Sequence, residues 1–179
     1  LEHADHLAKM AHEETGLGRS EDKLRKTILV TTRTPGPEDL EPIIETGEHG
    51  MMLTEMAPLG LVASITPTTN PVATIVNNAI AVLSGGNALV FNVHPNAKGV
   101  SAENVRLLNR AVIAGGGPPN LVTAIPEPTI ESAQALMRHP GVRVLLVTGG
   151  PGVVREALKT DKRAVAAGPG NPPAVVDET

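Results

Sequence analysis

The chain has 179 residues, enough for one domain with appendages, and 41% of them are apolar, enough for a real core. A net charge of −4 and a single aromatic residue, Phe91, exclude a basic, aromatic-studded surface for nucleic acid or an anionic membrane. With no cysteine there is neither a disulfide framework nor a thiolate metal site, and no apolar run approaches the ~18 residues that span a bilayer.

Residues 1–15 predict a helix with Leu7, Met10 and Ala11 on one face and Gly16 at its stop. No secretory signal pattern precedes it, so the chain reads as a soluble cytoplasmic protein. His3, His6 and His12 fall at helical spacings along it, which a solvated helix face explains better than a metal site. A second helix is predicted from Ser20 to about Thr32, with Leu24 and Ile28 facing inward and Pro35 and Pro37 ending it. These helices make a first unit, residues 1–36. Residues 37–58 make a second: short extended pieces around TGEHG (46–50) read as a hairpin.

From Leu59 the pattern changes. Apolar runs recur at LVASI (61–65), ALVFN (88–92), LVTAI (121–125), VRVLLV (142–147) and AVAA (164–167). Between them, 71–84, 99–114, 129–138 and 151–159 carry helical spacing. Short apolar strands alternating with helices predict an α/β fold over 59–172. Its parallel sheet is doubly wound and Rossmann-like, covered on both faces and joined by right-handed crossovers. Both ends read as cut: Leu1 starts inside a helical pattern, and Asp177 is placed to cap a helix that does not follow. A longer parent chain is expected, with 173–179 beginning the connection to its next part.

Such sheets bind ligands beyond the carboxyl ends of their strands. That selects the loops at 66–70, 92–98, 126–128, 148–150 and 168–172. In TGGPGVV (148–154), Gly149 and Gly150 let the backbone approach a ligand, and Pro151 suits the first position of a helix whose bare N–H groups favour phosphate. The dinucleotide fingerprint is incomplete, because Arg155 stands where its third glycine belongs; a plain strand-to-helix turn explains the same residues. FNVHPNAK (91–98) offers His94, Asn96 and Lys98 where a carboxylate often meets the ribose hydroxyls, so NAD and NADP both stay open. AAGPGNPP (166–173) is a rigid turn that suits structure or an active-site wall equally. In ITPTTNP (65–71), Asn70 is predicted to cap a helix with its side-chain oxygen while Pro71 takes the first helical position.

Together ITPTTNP, FNVHPNAK, PEPTIESAQAL (126–136), VTGGPGVV (147–154) and GPGNPPAVVDET (168–179) resemble the CoA-acylating aldehyde dehydrogenases. The likeness is closest to the acetaldehyde and propionaldehyde enzymes of ethanolamine and propanediol utilisation, and it runs in order along the whole chain. The aldehyde dehydrogenase half of bifunctional aldehyde–alcohol dehydrogenases is the near competitor. A non-catalytic nucleotide-binding or assembly module is the rival from another class.

The resemblance implies that a cysteine thiolate attacks a short-chain aldehyde, a hydride passes to NAD, and coenzyme A takes the acyl group. It places the cofactor over Thr66, Pro67 and Thr68, His94 and Pro95, Pro126, and Thr148, Gly149, Gly150 and Val153. It makes Asn70 an oxyanion-hole donor through its NH₂ and the hairpin an oligomerisation element of a dimer or tetramer. It also implies a cytoplasmic location, within a bacterial microcompartment in some members. Two departures stand out. The nucleophilic cysteine is not among these residues. Ala166 stands where hydrolytic relatives carry the glutamate of an E-L-G-G-K motif, so activation of water is weakened and a thiol such as coenzyme A is favoured as acceptor.

Overall fold

The computed structural model describes residues 1–177; residues 178 and 179, the tail of the expected connection, lie outside the described part. Helices α1 (Ala4–Thr15) and α2 (Ser20–Arg33) open the chain. The first ends where Gly16 turns left-handed, at φ 66°, a conformation that costs glycine nothing. The second ends because Pro35 forces Thr34 into extended backbone.

Helix α2 does not face the way its apolar residues predict. Ile28 is 42% exposed, and Lys23 and Thr27 are buried in its place. Thr27 satisfies its hydroxyl on the Lys23 carbonyl at 2.9 Å. The Lys23 stem lies along packed surface while its ammonium reaches the Thr69 carbonyl at 3.4 Å. Polar groups with internal partners have taken the inward face.

Strands β1 (Ile43–Gly47) and β2 (Gly50–Thr54) form the expected hairpin, paired from Ile43↔Thr54 to Gly47↔Gly50 with every residue exposed. Five further strands, β3 (Leu61–Ile65), β4 (Ala88–Asn92), β5 (Val122–Ala124), β6 (Val142–Thr148) and β7 (Arg163–Ala167), make one parallel sheet in the order β5-β4-β3-β6-β7. The connecting helices are α3 (Pro71–Ser84), α4 (Lys98–Ala114), α5 (Ile130–Arg138) and α6 (Pro151–Leu158). The doubly wound α/β fold is therefore present. Strand β5 is shorter than the apolar run that announces it, although Leu89 N–H to Leu121 O and Ile125 N–H to Phe91 O extend its pairing.

Alternation along the strands divides the core. Val62, Leu89, Phe91, Val122 and Val144 pack against Ile75, Ala79 and Val82 of α3 and Val105 of α4. On the other face, Ala63, Ile65, Leu145 and Val147 meet Ala133 and Met137 of α5 and Ala157 of α6. Outside α3 and α4 lies an additional layer, where Leu7 and Ala11 of α1 cover Val72, Val76 and Val100. No helix of the described residues is long and apolar enough to cross a membrane.

Among the described residues Phe91 is the largest fully buried side chain, at 0% exposure within the first core. Phe91→Ala leaves a cavity among branched side chains that cannot collapse freely. The expected cost is about 3–5 kcal/mol, read as a lower urea midpoint at unchanged m-value.

Candidate active site

The strand order reverses between β3 and β6, so the crossovers after these strands leave in opposite directions and open a crevice at the carboxyl edge. A cleft of about 810 Å³ lies there. One wall is the loop from Thr66 to Asn70 after β3, and the opposite wall is Thr148 to Gly150 after β6 with Val153 of α6. His94 and Pro95 close the end beyond β4, and Gly168 to Gly170 close the end beyond β7. Ten of the residues singled out by sequence thus meet around one space.

Pro126 does not join them. It is exposed and outside the cleft, whose wall on that side is built from Thr129, Ile130 and Ala133. The cause is Asn92, at the end of β4. Its Oδ1 accepts from Ser132 Oγ at 2.6 Å and its Nδ2 donates to the Thr129 carbonyl at 3.4 Å. These bonds draw the start of α5 to the cleft and leave 126–128 beyond it. Sequence reasoning missed Asn92 and Thr129; the T-x-x-S spacing of a helix start was the available signal, since Ser132 stands three residues after Thr129.

Four helices begin at this edge, and they differ in how their first N–H groups are used. At α4, Gly99 and Val100 donate to the Glu14 carboxylate at 2.7 and 2.6 Å. Helix α5 carries a capping box between Thr129 and Ser132. Helices α3 and α6, which follow the two strands at the reversal, have no side-chain cap. The uncapped start of α6 opens on the cleft through Gly150 and Val153, which suits anionic ligand groups.

Asn70 corrects the expectation of a side-chain cap. It occupies the N-cap position of α3, yet its side chain accepts no helix N–H. Its Oδ1 accepts instead from Lys26 Nζ at 3.1 Å. An ammonium only donates, so the atom it meets is the carbonyl oxygen and the NH₂ is the end left over. Among the described residues that NH₂ has no hydrogen-bond partner, and Asn70 lines the cleft.

No carboxylate lines this space, and His94 is its one titratable side chain among the described residues. His94 Nδ1 accepts from Asn96 N–H at 3.2 Å, leaving Nε2 as the nitrogen that can donate. Lys98 is held away by Glu127 at 2.6 Å. Among the described residues the Thr66 and Thr68 hydroxyls, buried on the wall, have no partner, an arrangement that fits a ligand rich in hydroxyls and phosphates. Burial pushes the Lys23 ammonium below its usual range, with the nearby Lys26 charge adding to the effect. Ala166 is set back on β7, paired with Val147 and packed toward the α5–α6 core.

The model of the aldehyde dehydrogenase family matches residues 1–179. The chain belongs to the aldehyde dehydrogenase family. An acetaldehyde dehydrogenase (acetylating) of Bilophila wadsworthia is 52% identical over 180 residues, covering 100% of this chain and 37% of that protein. A propionaldehyde dehydrogenase of Rhodopseudomonas palustris, solved with bound CoA and an acylated cysteine, is similar at 49% identity and TM-score 0.91, over 98% of this chain and 40% of that one. An engineered glycolyl-CoA reductase with bound NADP+ is similar at 48% identity and TM-score 0.92, again over 98% and 40%. This aldehyde dehydrogenase chain thus spans about 37% of the length of the curated relative named here.

Two glycines of the family chain differ in what an added side chain would meet. A Cβ on Gly150 meets nothing within 4 Å, whereas one on Gly149 falls 2.7 Å from Val153 Cγ1. Gly150 has φ −69°, which alanine adopts freely. Gly150→Ala is therefore expected to keep the melting temperature of the unchanged chain, measured by scanning calorimetry. Gly149→Ala is expected to cost about 1–3 kcal/mol by overpacking the stiff valine.

Proposed function

We propose that this chain is the cofactor-binding part of a CoA-acylating aldehyde dehydrogenase that oxidises a short-chain aldehyde with NAD or NADP. The observation that carries this reading is Asn70: its oxygen is held by Lys26 and its NH₂ is left to donate at the cleft. The dinucleotide fits the wall of unpartnered threonines and the bare start of α6, which would hold its pyrophosphate. The nucleophilic cysteine would come from residues outside these 179. Its thiolate would add to the aldehyde, and the negative charge would develop on the carbonyl oxygen. A donor aimed at that oxygen is typically worth ~3 kcal/mol of barrier.

When bound, the dinucleotide would supply the hydride acceptor, and the acyl group left on the thiolate would go to a second thiol, coenzyme A, as acyl-CoA. Ala166 supports that acceptor, because no carboxylate stands there to activate water. The hairpin supports a homo-oligomer: Ile43, Ile44, Met51, Met52 and Leu53 are all more than half exposed on it.

In the full-length enzyme, omission of coenzyme A is expected to stop turnover after the acyl-enzyme has formed. Little free acid should accumulate. Rapid production of acid without coenzyme A, followed by chromatography, would contradict the acylating assignment.

Asn70→Asp tests the oxyanion role. The new carboxylate can pair with Lys26 and is favoured by the α3 dipole, so folding should survive. An acceptor replaces the donor beside a developing oxyanion, and turnover should fall ~10²-fold or more. Asn70→Ala removes no cap bond and is expected to lose turnover with little loss of stability. Near-normal turnover of both variants, measured where chemistry limits the rate, would remove Asn70 from the mechanism.

A further inference from the structure

The geometry points to Lys26 as a positioning residue that orients Asn70 for catalysis from outside the active-site cleft. The inference rests on the oxyanion-donor reading of Asn70. Lys26 is not on the cleft wall. With Asn70, Pro71 and Lys23 it lines a separate small crevice between α2 and the start of α3. From there its Nζ donates to Asn70 Oδ1 at 3.1 Å across 44 residues of sequence. One helical turn earlier, Lys23 donates to the carbonyl of the preceding loop residue, Thr69, at 3.4 Å. Helix α2 thus presents two ammonium groups to two successive residues of the loop that carries the donor.

Three physical features argue that this contact serves orientation. The first is directional. A carboxamide can be reversed about its last bond at little cost, and only a partner of fixed polarity chooses one orientation. The expected partner, a helix N–H, is not used, so the ammonium alone makes the choice. The second is electronic. A hydrogen bond from a cation to the amide oxygen draws electron density toward it and makes the N–H at the other end a stronger donor.

The third concerns stability. A cation beside the N-terminus of a helix opposes the helix dipole, so this placement is unfavourable to α3. Asp22, one turn before Lys26 on α2, feels the Lys26 charge, but it takes its hydrogen bond from Arg19, with Arg25 as a second ion-pair partner. Both lysines direct their hydrogen bonds to the loop. The support is also rigid: beyond the end of α2, Thr34 Oγ1 donates to Asn77 Oδ1 of α3 at 3.0 Å, fixing the second end of the contact between the helices.

The test is a double-mutant cycle in the full-length enzyme, reading hydride transfer in a single turnover from the absorbance of the reduced cofactor. Lys26→Met removes the donor and the charge from a surface side chain. It is expected to slow hydride transfer roughly ten-fold while the cofactor KM changes less than two-fold. Lys26→Arg, which keeps a cationic donor, is expected to recover most of the rate, and Lys26→Gln, a neutral donor, part of it. In an Asn70→Ala background, Lys26→Met is expected to change the rate less than two-fold, because the group it orients is gone.

An unchanged rate for Lys26→Met, with Asn70→Ala still slow, overturns the role of Lys26 and leaves that of Asn70 standing. Equal losses in both backgrounds also overturn it, since Lys26 would then act by another route. A normal rate for Asn70→Ala overturns both readings together. Thermal unfolding of each variant separates these outcomes from a loss of fold.

Discussion

The inner strands of a parallel sheet must be covered on both faces, and this constraint organises the molecule. Strands β3 and β6 pack apolar side chains in both directions, so helices must return on both sides. Right-handed crossovers then send the first two helices to one face and the last two to the other, reversing the strand order between β3 and β6. The crevice follows from this reversal. It is made by backbone connectivity before any side chain has acted.

What the side chains add is selective capping. Four helices start at the carboxyl edge, and two of them have their N–H groups satisfied, α4 by Glu14 and α5 by its own capping box. The two at the reversal do not. A cleft with no carboxylate, lysine or arginine on its wall among the described residues, and with the uncapped start of α6 on it, suits anionic ligand groups. The unpartnered threonine hydroxyls add points where polar ligand groups can bind. Fixed backbone dipoles of this kind need no reorganisation when charge develops beside them.

The two opening helices are part of the same design. Helix α1 sends Glu14 to the start of α4, and α2 sends Lys23 and Lys26 to the loop before α3. Opposite charges therefore reach neighbouring helix starts. The carboxylate complements the dipole and stabilises; the ammonium opposes it and orients an amide. An outer layer that covers α3 and α4 also sets the electrostatics of the edge they begin from.

The sequence by itself determined the alternation of strands and helices, the sheet's type and the loops that converge, because hydrophobic period and Gly/Pro punctuation are local signals. Motif resemblance supplied the family, which composition and periodicity could not. Contacts distant in sequence were settled only by the fold. Ile28 lost the inward face to Lys23 and Thr27 because their polar groups found partners that periodicity cannot show. Pro126 stayed outside because Asn92, from another strand, pulled the start of α5 into the cleft. Asn70 read as a helix cap from its own neighbourhood, since Asn before Pro carries that local preference. Its actual partner, Lys26, lies 44 residues away, and only the packing of α2 against α3 brings that ammonium within 3.1 Å.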